Sequence, residues 1–393
     1  DIDDALEINK IDTDTYDITV YIADPTAFIK HYNNSEFNKT ILNKLQTVYS
    51  IDRNYPMLPP EFSENLCSLL YGKRRLALAL SLKVTETGEI LENTLRFQKT
   101  IIVNKMTISY KKAQSKIETS IIKNNPLKLL YTISQKIAKL NYPKIWKKSW
   151  DTHRMIETMM VMANHHSAKF LKQSAETLPT KPIIRYHDIP DYLPPSTLSQ
   201  DLMENINKFY LKSALYSTNL TQSNHYGLGL DIYTHYTSPI RRFTDLYTHF
   251  LIKHIAFGEE VPEDFKLSSS IETNFIEKLN TNYKNSRRLA LDLERFTVIE
   301  KISRLPDRMI HTKAIILDFW DDGVILYIPE LKLKIFHKLV NDTLEDLFEI
   351  VIDKKSMEIS VIDKKLMETT WKSKKYSEID IEIYQVTNDN LKF

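Results

Sequence analysis

Tyr233-Thr234-His235-Tyr236-Thr237-Ser238-Pro239-Ile240-Arg241-Arg242 is the stretch on which the reading of this chain turns. Thr237 or Ser238 can cap a helix, and Pro239 suits a first helical turn because its missing N–H costs nothing there. Ile240, Phe243, Tyr247, Phe250 and Leu251 follow at helical spacing. On that reading Arg241 and Arg242 sit at a helix N-terminus, where the macrodipole disfavours cations. Two explanations stand side by side. In one, Asp245 at i+4 offsets Arg241 and the arrangement is structural. In the other, two guanidiniums and free backbone N–H groups meet an anion, most naturally phosphate. Gly227 and Gly229, a third of the 6 glycines, lie just upstream and suit a close backbone approach.

A second unusual stretch opens the chain, where Asp1, Asp3 and Asp4 precede an apolar strand. An extended backbone points Asp1 and Asp3 to one side and Asp4 to the other. Carboxylates this close raise one another's pKa unless a cation neutralises them. Ligation by oxygen alone suits Mg²⁺ or Mn²⁺. A solvated acidic chain end is the plain alternative.

Between these stretches the pattern changes from strands to helices. Ala5–Ile8, Tyr16–Ala23, Leu76–Val84 and Thr94–Val103 read as strands, with a short helix over Phe62–Leu70. From Ser109 onward helical spacing takes over, notably over Trp150–Ser174 and again at Leu289, Leu293 and Phe296. Strands followed by helices predict an α+β fold rather than an alternating parallel one. After Pro306, Thr312–Phe319, the turn Asp321-Asp322-Gly323 and Val324–Ile328 read as a hairpin. The short strands that follow predict a small β-barrel, such as an OB-fold. Within them Val351-Ile352-Asp353-Lys354-Lys355 recurs as Val361-Ile362-Asp363-Lys364-Lys365, a duplication of hairpin on hairpin.

Composition bounds the answer. The chain has 393 residues, 26% charged and 42% hydrophobic, which excludes a disordered chain and predicts two to three domains. A net charge of +2 supplies no global attraction for nucleic acid, so any basic surface requires segregated charge. One cysteine, Cys67, excludes an internal disulfide and cysteine-rich zinc sites, and fits an intracellular, cytoplasmic setting. No apolar run is long enough for a transmembrane helix, so no membrane partner is expected. The chain begins at Asp1 rather than Met and reads as part of a longer one.

Asp1-Ile2-Asp3-Asp4-Ala5-Leu6, Ile22-Ala23-Asp24, Pro56-Met57-Leu58-Pro59 and Leu66-Cys67-Ser68-Leu69 occur in one order. Ile156-Glu157 with Met160 and Ala163-Asn164 come next, then Thr237-Ser238-Pro239-Ile240-Arg241-Arg242 with Asp245 and His249. This series resembles the RNB catalytic domain of the RNase II family of 3′→5′ exoribonucleases. The likeness spans residues 1–305, and residues 306–393 resemble, more faintly, the S1-like OB-fold RNA-binding domain that follows RNB in the family.

The resemblance implies a hydrolytic, processive, Mg²⁺-dependent exoribonuclease (Mn²⁺ the alternative ion) that degrades single-stranded RNA to nucleoside 5′-monophosphates. A catalytically inactive RNA-binding module on the same scaffold is the rival, and an RNA-degradation complex is the partner the resemblance implies. Asp1, Asp3 and Asp4 inherit the metal-binding role, with two ions about 3.5–4 Å apart at the scissile phosphate. Asp3, Asp4 and Arg241 inherit catalysis, Arg241 by offsetting charge in the transition state. Arg242 either contacts the RNA backbone or packs the helix. Tyr49 matches the tyrosine that stacks on terminal bases, and Tyr110 with Glu157 the pair that recognises ribose. Glu294 matches a family glutamate near the RNA. Met155, Met159, Met160 and Met162, Cys67 and the pair His165-His166 read as structural.

The chain departs from the family in three places. A fourth Asp and the cold-shock-type domains belong upstream of Asp1. Only 46 residues separate Tyr110 from Glu157, fewer than in bacterial members, and no aromatic there stands out as the second half of a base sandwich.

Overall fold

The computed structural model describes the chain except residues 33, 51, 52, 121–124, 147, 148, 196, 197, 199–201, 204, 205, 207, 208, 340–345, 354, 388, 389 and 393. It divides into two compact units, Asp1–Ile189 with Lys212–Ser286, and Pro190–Leu211 with Arg287–Phe393.

The first unit is built on strands β1 (Asp4–Lys10), β2 (Thr15–Ala23), β5 (Arg74–Thr85) and β6 (Ile90–Val103), paired antiparallel in the order β1-β2-β5-β6. Asp4 lies opposite Ile22, and Ala23 opposite Ala77. Leu76-Ala77-Leu78-Ala79-Leu80-Ser81-Leu82 is a nearly unbroken apolar run, and Ala77 through Leu82 are all buried. Such a run marks a strand covered on both faces. The one polar pair there is satisfied internally, Thr19 Oγ1 lying 2.8 Å from Ser81 Oγ. Between β2 and β5 come α1 (Pro25–Tyr32), α2 (Ser35–Lys44) and the two-residue strands β3 (Val48–Tyr49) and β4 (Asn54–Tyr55).

The helices α3 (Tyr110–Thr119), α4 (Pro126–Asn141) and α5 (Thr152–Gln173) follow. Ser109, Asn125 and Asp151 cap them by accepting first-turn N–H groups. The methionines fill core as expected, Met155, Met159 and Met162 being buried. Strands β7 (Ile184–Tyr186) and β8 (Leu215–Ser217) pair, then α6 (Phe243–Phe257) and α7 (Ser269–Ser303) complete the helices, α7 running from one unit into the other.

Two expectations change here. The helix expected over Phe62–Leu70 is a single wide turn, Glu61–Leu66, closed by Cys67 N donating to Phe62 O at 2.9 Å. The chain then extends because Ser68 and Leu69 pair with residue 2: Ser68 Oγ accepts from Ile2 N, and Leu69 N donates to Ile2 O. The helix expected to start at Thr237 or Ser238 starts at Phe243 instead. Carboxylates claim the N–H groups that a helix cap would use, Asp245 taking Ser238 N at 2.7 Å and Asp3 taking Ile240 N at 3.1 Å. Residues 238–242 therefore form a turn ahead of α6, and both arginines precede the helix.

In the second unit β9 (Met309–Trp320) and β10 (Gly323–Ile328) form the expected hairpin, and β11 (Leu333–Lys338) pairs with β10. Strands β12 (Phe348–Asp353), β13 (Glu358–Asp363) and β14 (Glu368–Lys374) form a separate antiparallel meander. The duplicated pentapeptides close its two hairpins alike. Asp353 Oδ1 accepts from Lys355 N at 2.8 Å, and Asp363 Oδ1 from Lys365 N at 2.8 Å. Strands β15 (Glu378–Thr387) and β16 (Asn390–Lys392) complete a five-stranded sheet, β11-β10-β9-β15-β16. Among the described residues no pairing joins the two sheets into a closed barrel. They share one core instead, Ile359 and Trp371 packing with Val324, Leu326 and Ile328. No helix among the described residues is long and apolar enough to cross a membrane.

Candidate active site

Asp3 and Arg241 are 238 positions apart in the chain and meet at the end of the first unit's sheet. Arg241 Nε donates to Asp3 Oδ2 at 3.1 Å, while Asp3 Oδ1 accepts from Ile240 N. Arg241 Nη2 donates to Ser238 Oγ at 3.0 Å, and its side chain remains 39% exposed. The guanidinium is thus held along one edge and open along another.

Asp3 is buried, and its pKa is raised to about 6. Burial is the main cause; the Arg241 charge and the Ile240 N–H work against it, and Asp245 adds to the rise. Asp4 follows the same pattern, burial pushing its pKa up and Arg241 pulling it down. A buried carboxylate that stays hard to ionise beside its arginine is one that a cation would stabilise. The hard oxygens of Asp3 and Asp4 fit Mg²⁺ or Mn²⁺ in that respect. Asp1 is exposed. Among the described residues no group of three or more His, Cys, Asp or Glu side chains is placed to hold a metal ion, so Asp1 is not drawn into a cluster with the other two.

The partner expected for Arg241 belongs to its neighbour. Arg242 Nη2 donates to Asp245 Oδ1 at 2.7 Å, and Asp245 is fully buried. That ion pair raises the Arg242 pKa although burial opposes it. Arg242 is thus held against the start of α6, its side chain partly exposed. Gly227 and Gly229 serve packing. A side chain at Gly227 would meet the His187 ring 2.6 Å away, and one at Gly229 would meet the Lys144 stem 3.1 Å away.

Backbone contacts join Arg241 to Tyr49. Thr47 N donates to Arg241 O at 2.9 Å, and Phe243 N to Leu45 O at 2.8 Å, so residues 45–47 run beside residues 241–243. Thr47 Oγ1 accepts from Met57 N, which ties in the Pro56-Met57-Leu58-Pro59 segment. Tyr49 follows two residues later, 46% exposed.

Tyr110 begins α3 and is 44% exposed. Burial raises its pKa, and the Asp4 charge adds to the rise, which places the phenol within Asp4's field. Asp4 and Tyr110 line one cavity of about 520 Å³ with Thr152, Met155 and Ile156. Glu157 lies on α5 and accepts from Arg154 Nη1 at 2.5 Å. Glu294 is exposed on the stretch of α7 that belongs to the second unit.

Several residues at this site carried a motif signal but no assigned role. Asn164 is buried, donating to Tyr233 Oη at 2.8 Å and accepting from Tyr236 N at 2.7 Å, so α5 holds the segment leading to the arginines. Asp24 and Lys253 form a buried ion pair at 2.5 Å that joins the end of β2 to α6. Burial works against the Asp24 charge, yet Lys253 and His249 hold its pKa below the usual range. Cys67 and the pair His165-His166 are structural as expected: Cys67 is buried, His165 Nε2 pairs with Asp231 at 3.0 Å, and His166 Nδ1 with Met162 O at 3.0 Å.

The RNB domain family matches residues 1–258, and the chain belongs to that family. Ribonuclease R of Chlamydia trachomatis is 26% identical over 394 residues, covering 84% of this chain and 54% of that protein. Exoribonuclease 2 of Buchnera aphidicola is 28% identical over 381 residues, covering 82% and 57%. A probable exosome complex exonuclease of Caenorhabditis elegans is 25% identical over 351 residues, covering 73% and 36%. The chain thus spans 36–57% of the length of these relatives. Among solved structures, Mycoplasma genitalium RNase R in complex with ribose-methylated single-stranded RNA aligns with a TM-score of 0.73 at 19% identity, covering 98% of this chain and 66% of that one. Yeast Ssd1, described as a pseudonuclease, aligns with a TM-score of 0.73 at 16% identity, covering 92% and 50%.

Proposed function

We propose that this chain is the catalytic part of a hydrolytic, processive 3′→5′ exoribonuclease that degrades single-stranded RNA to nucleoside 5′-monophosphates. The observation that carries the reading is the Asp3–Arg241 contact. It sets a buried carboxylate beside a guanidinium with an open edge, where a scissile phosphate has both a cation to meet and a carboxylate pair next to it. Asp3 and Asp4 are the residues to hold Mg²⁺, or Mn²⁺ in its place, with Asp1 the third carboxylate of the motif. The ion, when bound, supplies Lewis-acid activation of water and charge stabilisation at the leaving 3′ oxygen.

The rest of the chemistry falls to side chains. Arg241 keeps one edge on Asp3 and Ser238 and turns the other to phosphate oxygens, so its planar fork is preset. Tyr49 offers an exposed ring to terminal bases, a contact tolerant of sequence. Glu157 has one oxygen on Arg154 and the other for a 2′-hydroxyl, with Tyr110 as the phenolic partner. The strands after residue 306 serve as an S1-like RNA-binding element, and membership of an RNA-degradation complex accords with the exosome relatives.

One observation favours the rival, an RNA-binding module without hydrolysis: Asp3 and Arg241 already satisfy each other. Degradation of matched RNAs labelled at either end separates the two. A processive, metal-dependent 3′→5′ exonuclease releases label at once as mononucleotide from a 3′-labelled strand and carries a 5′-labelled one through to a short end product. Binding with neither pattern, across a Mg²⁺ and Mn²⁺ titration, would establish the rival.

A further inference from the structure

His153 is one of several aromatic rings between Tyr110 and Glu157, and motif and spacing did not single it out. It lies on the first turn of α5, and its ring stacks on Tyr110 with centroids 3.9 Å apart and planes 20° apart. Its side chain is 66% exposed, so burial of the imidazole does not explain the stack. Glu157 stands one helical turn further along the same face of α5. The neighbouring Thr152 Oγ1 donates to Tyr110 O at 3.1 Å, and Thr152 N donates to Gln114 Oε1 at 3.0 Å. The start of α3 and the start of α5 are therefore fastened together, with His153 and Tyr110 facing each other across the join.

The separation of the two rings decides what Tyr110 can offer a nucleotide. At 3.9 Å they are in direct contact, and no base fits between them. One face of Tyr110 is thereby taken. What remains is the other face and the hydroxyl, and an ordinary phenol carries its proton at neutral pH. A phenol that keeps its proton donates a hydrogen bond, and that is the contact a sugar hydroxyl needs from it. Imidazole stacking also fixes the ring plane, and so the direction in which that hydroxyl points. On the other side of the patch Arg154 fixes Glu157 in the same way.

We propose that His153 is a positioning residue for sugar selection: by occupying one face of Tyr110 it withholds that ring from base stacking and aims its hydroxyl at the ribose. The inference rests on the assignment of Tyr110 and Glu157 to ribose recognition and extends it to a residue that touches no substrate itself. A loosened phenol still reaches the 2′-hydroxyl but at a poorer angle, which costs about one hydrogen bond, or about fivefold.

The test compares wild type, His153→Ala and His153→Phe on matched RNA and DNA oligomers. Two quantities are read: the ratio of degradation rates, and the ratio of affinities by fluorescence anisotropy in chelator. His153→Ala is expected to lower RNA preference about fivefold, and His153→Phe, which restores a stacking ring, to bring it back. A residue that only stabilised the fold would change the melting temperature and both substrates alike, leaving the ratio where it was. An unchanged ratio in the alanine variant, or a phenylalanine variant that fails to recover it, overturns the proposal. If the wild type degrades neither oligomer, the exoribonuclease reading fails by itself. The affinity ratio then tests His153 alone, with the same two outcomes.

Discussion

Arg241 and Arg242 are adjacent and chemically identical, yet their surroundings give them different work. Arg241 is half-open and shares its fork between Asp3 and Ser238. Arg242 turns inward to a fully buried carboxylate, Asp245. Lysine in place of Arg241 keeps the charge and loses the fork, so Arg241→Lys should slow RNA hydrolysis about a hundredfold, as loss of one preset donor does, with little change in melting temperature. Arg242→Lys should do the reverse. It leaves Asp245 short of a donor and should cost about 1–3 kcal/mol of stability while the rate per folded molecule holds. Parallel kinetics and thermal melts of the two variants check this, and equal effects on both quantities would remove the distinction. The sequence showed that two arginines stood here and that a carboxylate must answer them. It did not show which arginine Asp245 would take, because Asp3, the competing carboxylate, is distant in sequence.

At the scale of elements, α6 is joined to the sheet by charge as well as by packing. Lys253 and Asp24 are both buried and 2.5 Å apart, with Thr26 Oγ1 donating to Asp24 Oδ1 at 2.6 Å. Removing one member of such a pair leaves a buried charge alone, which costs about 3–5 kcal/mol. Lys253→Met should therefore destabilise strongly, and Lys253→Met with Asp24→Asn should recover much of the loss. Chemical denaturation of both variants measures it; equal instability of the two would mean that packing, not charge, is what these residues supply. The strands of the first sheet were legible in the sequence as β-rich stretches, Leu76–Val84 among them. The start of α6 was not. A proline after two hydroxyl residues is a good helix opening locally, but carboxylates far along the chain and one turn into the helix claimed the amides first. The closed barrel expected for the terminal strands is not found among the described residues for a related reason: short alternating strands predict a β-element without fixing which edges pair.

For the whole molecule, the first unit is packed around histidines held neutral. Burial lowers the pKa of His166 to about 4, of His225 to about 3 and of His249 to about 4, against an ordinary 6.5. Each takes up a proton more readily when unfolded, so its contribution to stability is complete above about 6.5 and is lost as the pH falls toward the folded value. The melting temperature should drop steeply between pH 6.5 and 4, and less steeply in His249→Gln, whose Nε2 bonds Tyr236 O at 2.9 Å in the wild type. A melting temperature flat over that range would contradict it. The fold itself does not decide activity, since RNase R and a pseudonuclease align with it equally well. Under the proposed function that decision lies with Asp3 and Arg241. The most direct measurement is release of nucleoside 5′-monophosphate from a 3′-labelled single-stranded RNA by wild type and Asp3→Asn, alongside RNA affinity by anisotropy. The account predicts Mg²⁺-dependent release by the wild type, none by Asp3→Asn, and RNA affinity within about threefold in both, since the account assigns the Asp3 charge to the metal rather than to a base or sugar. Equal release by the two proteins, or none by either in the presence of Mg²⁺ or Mn²⁺, would contradict it.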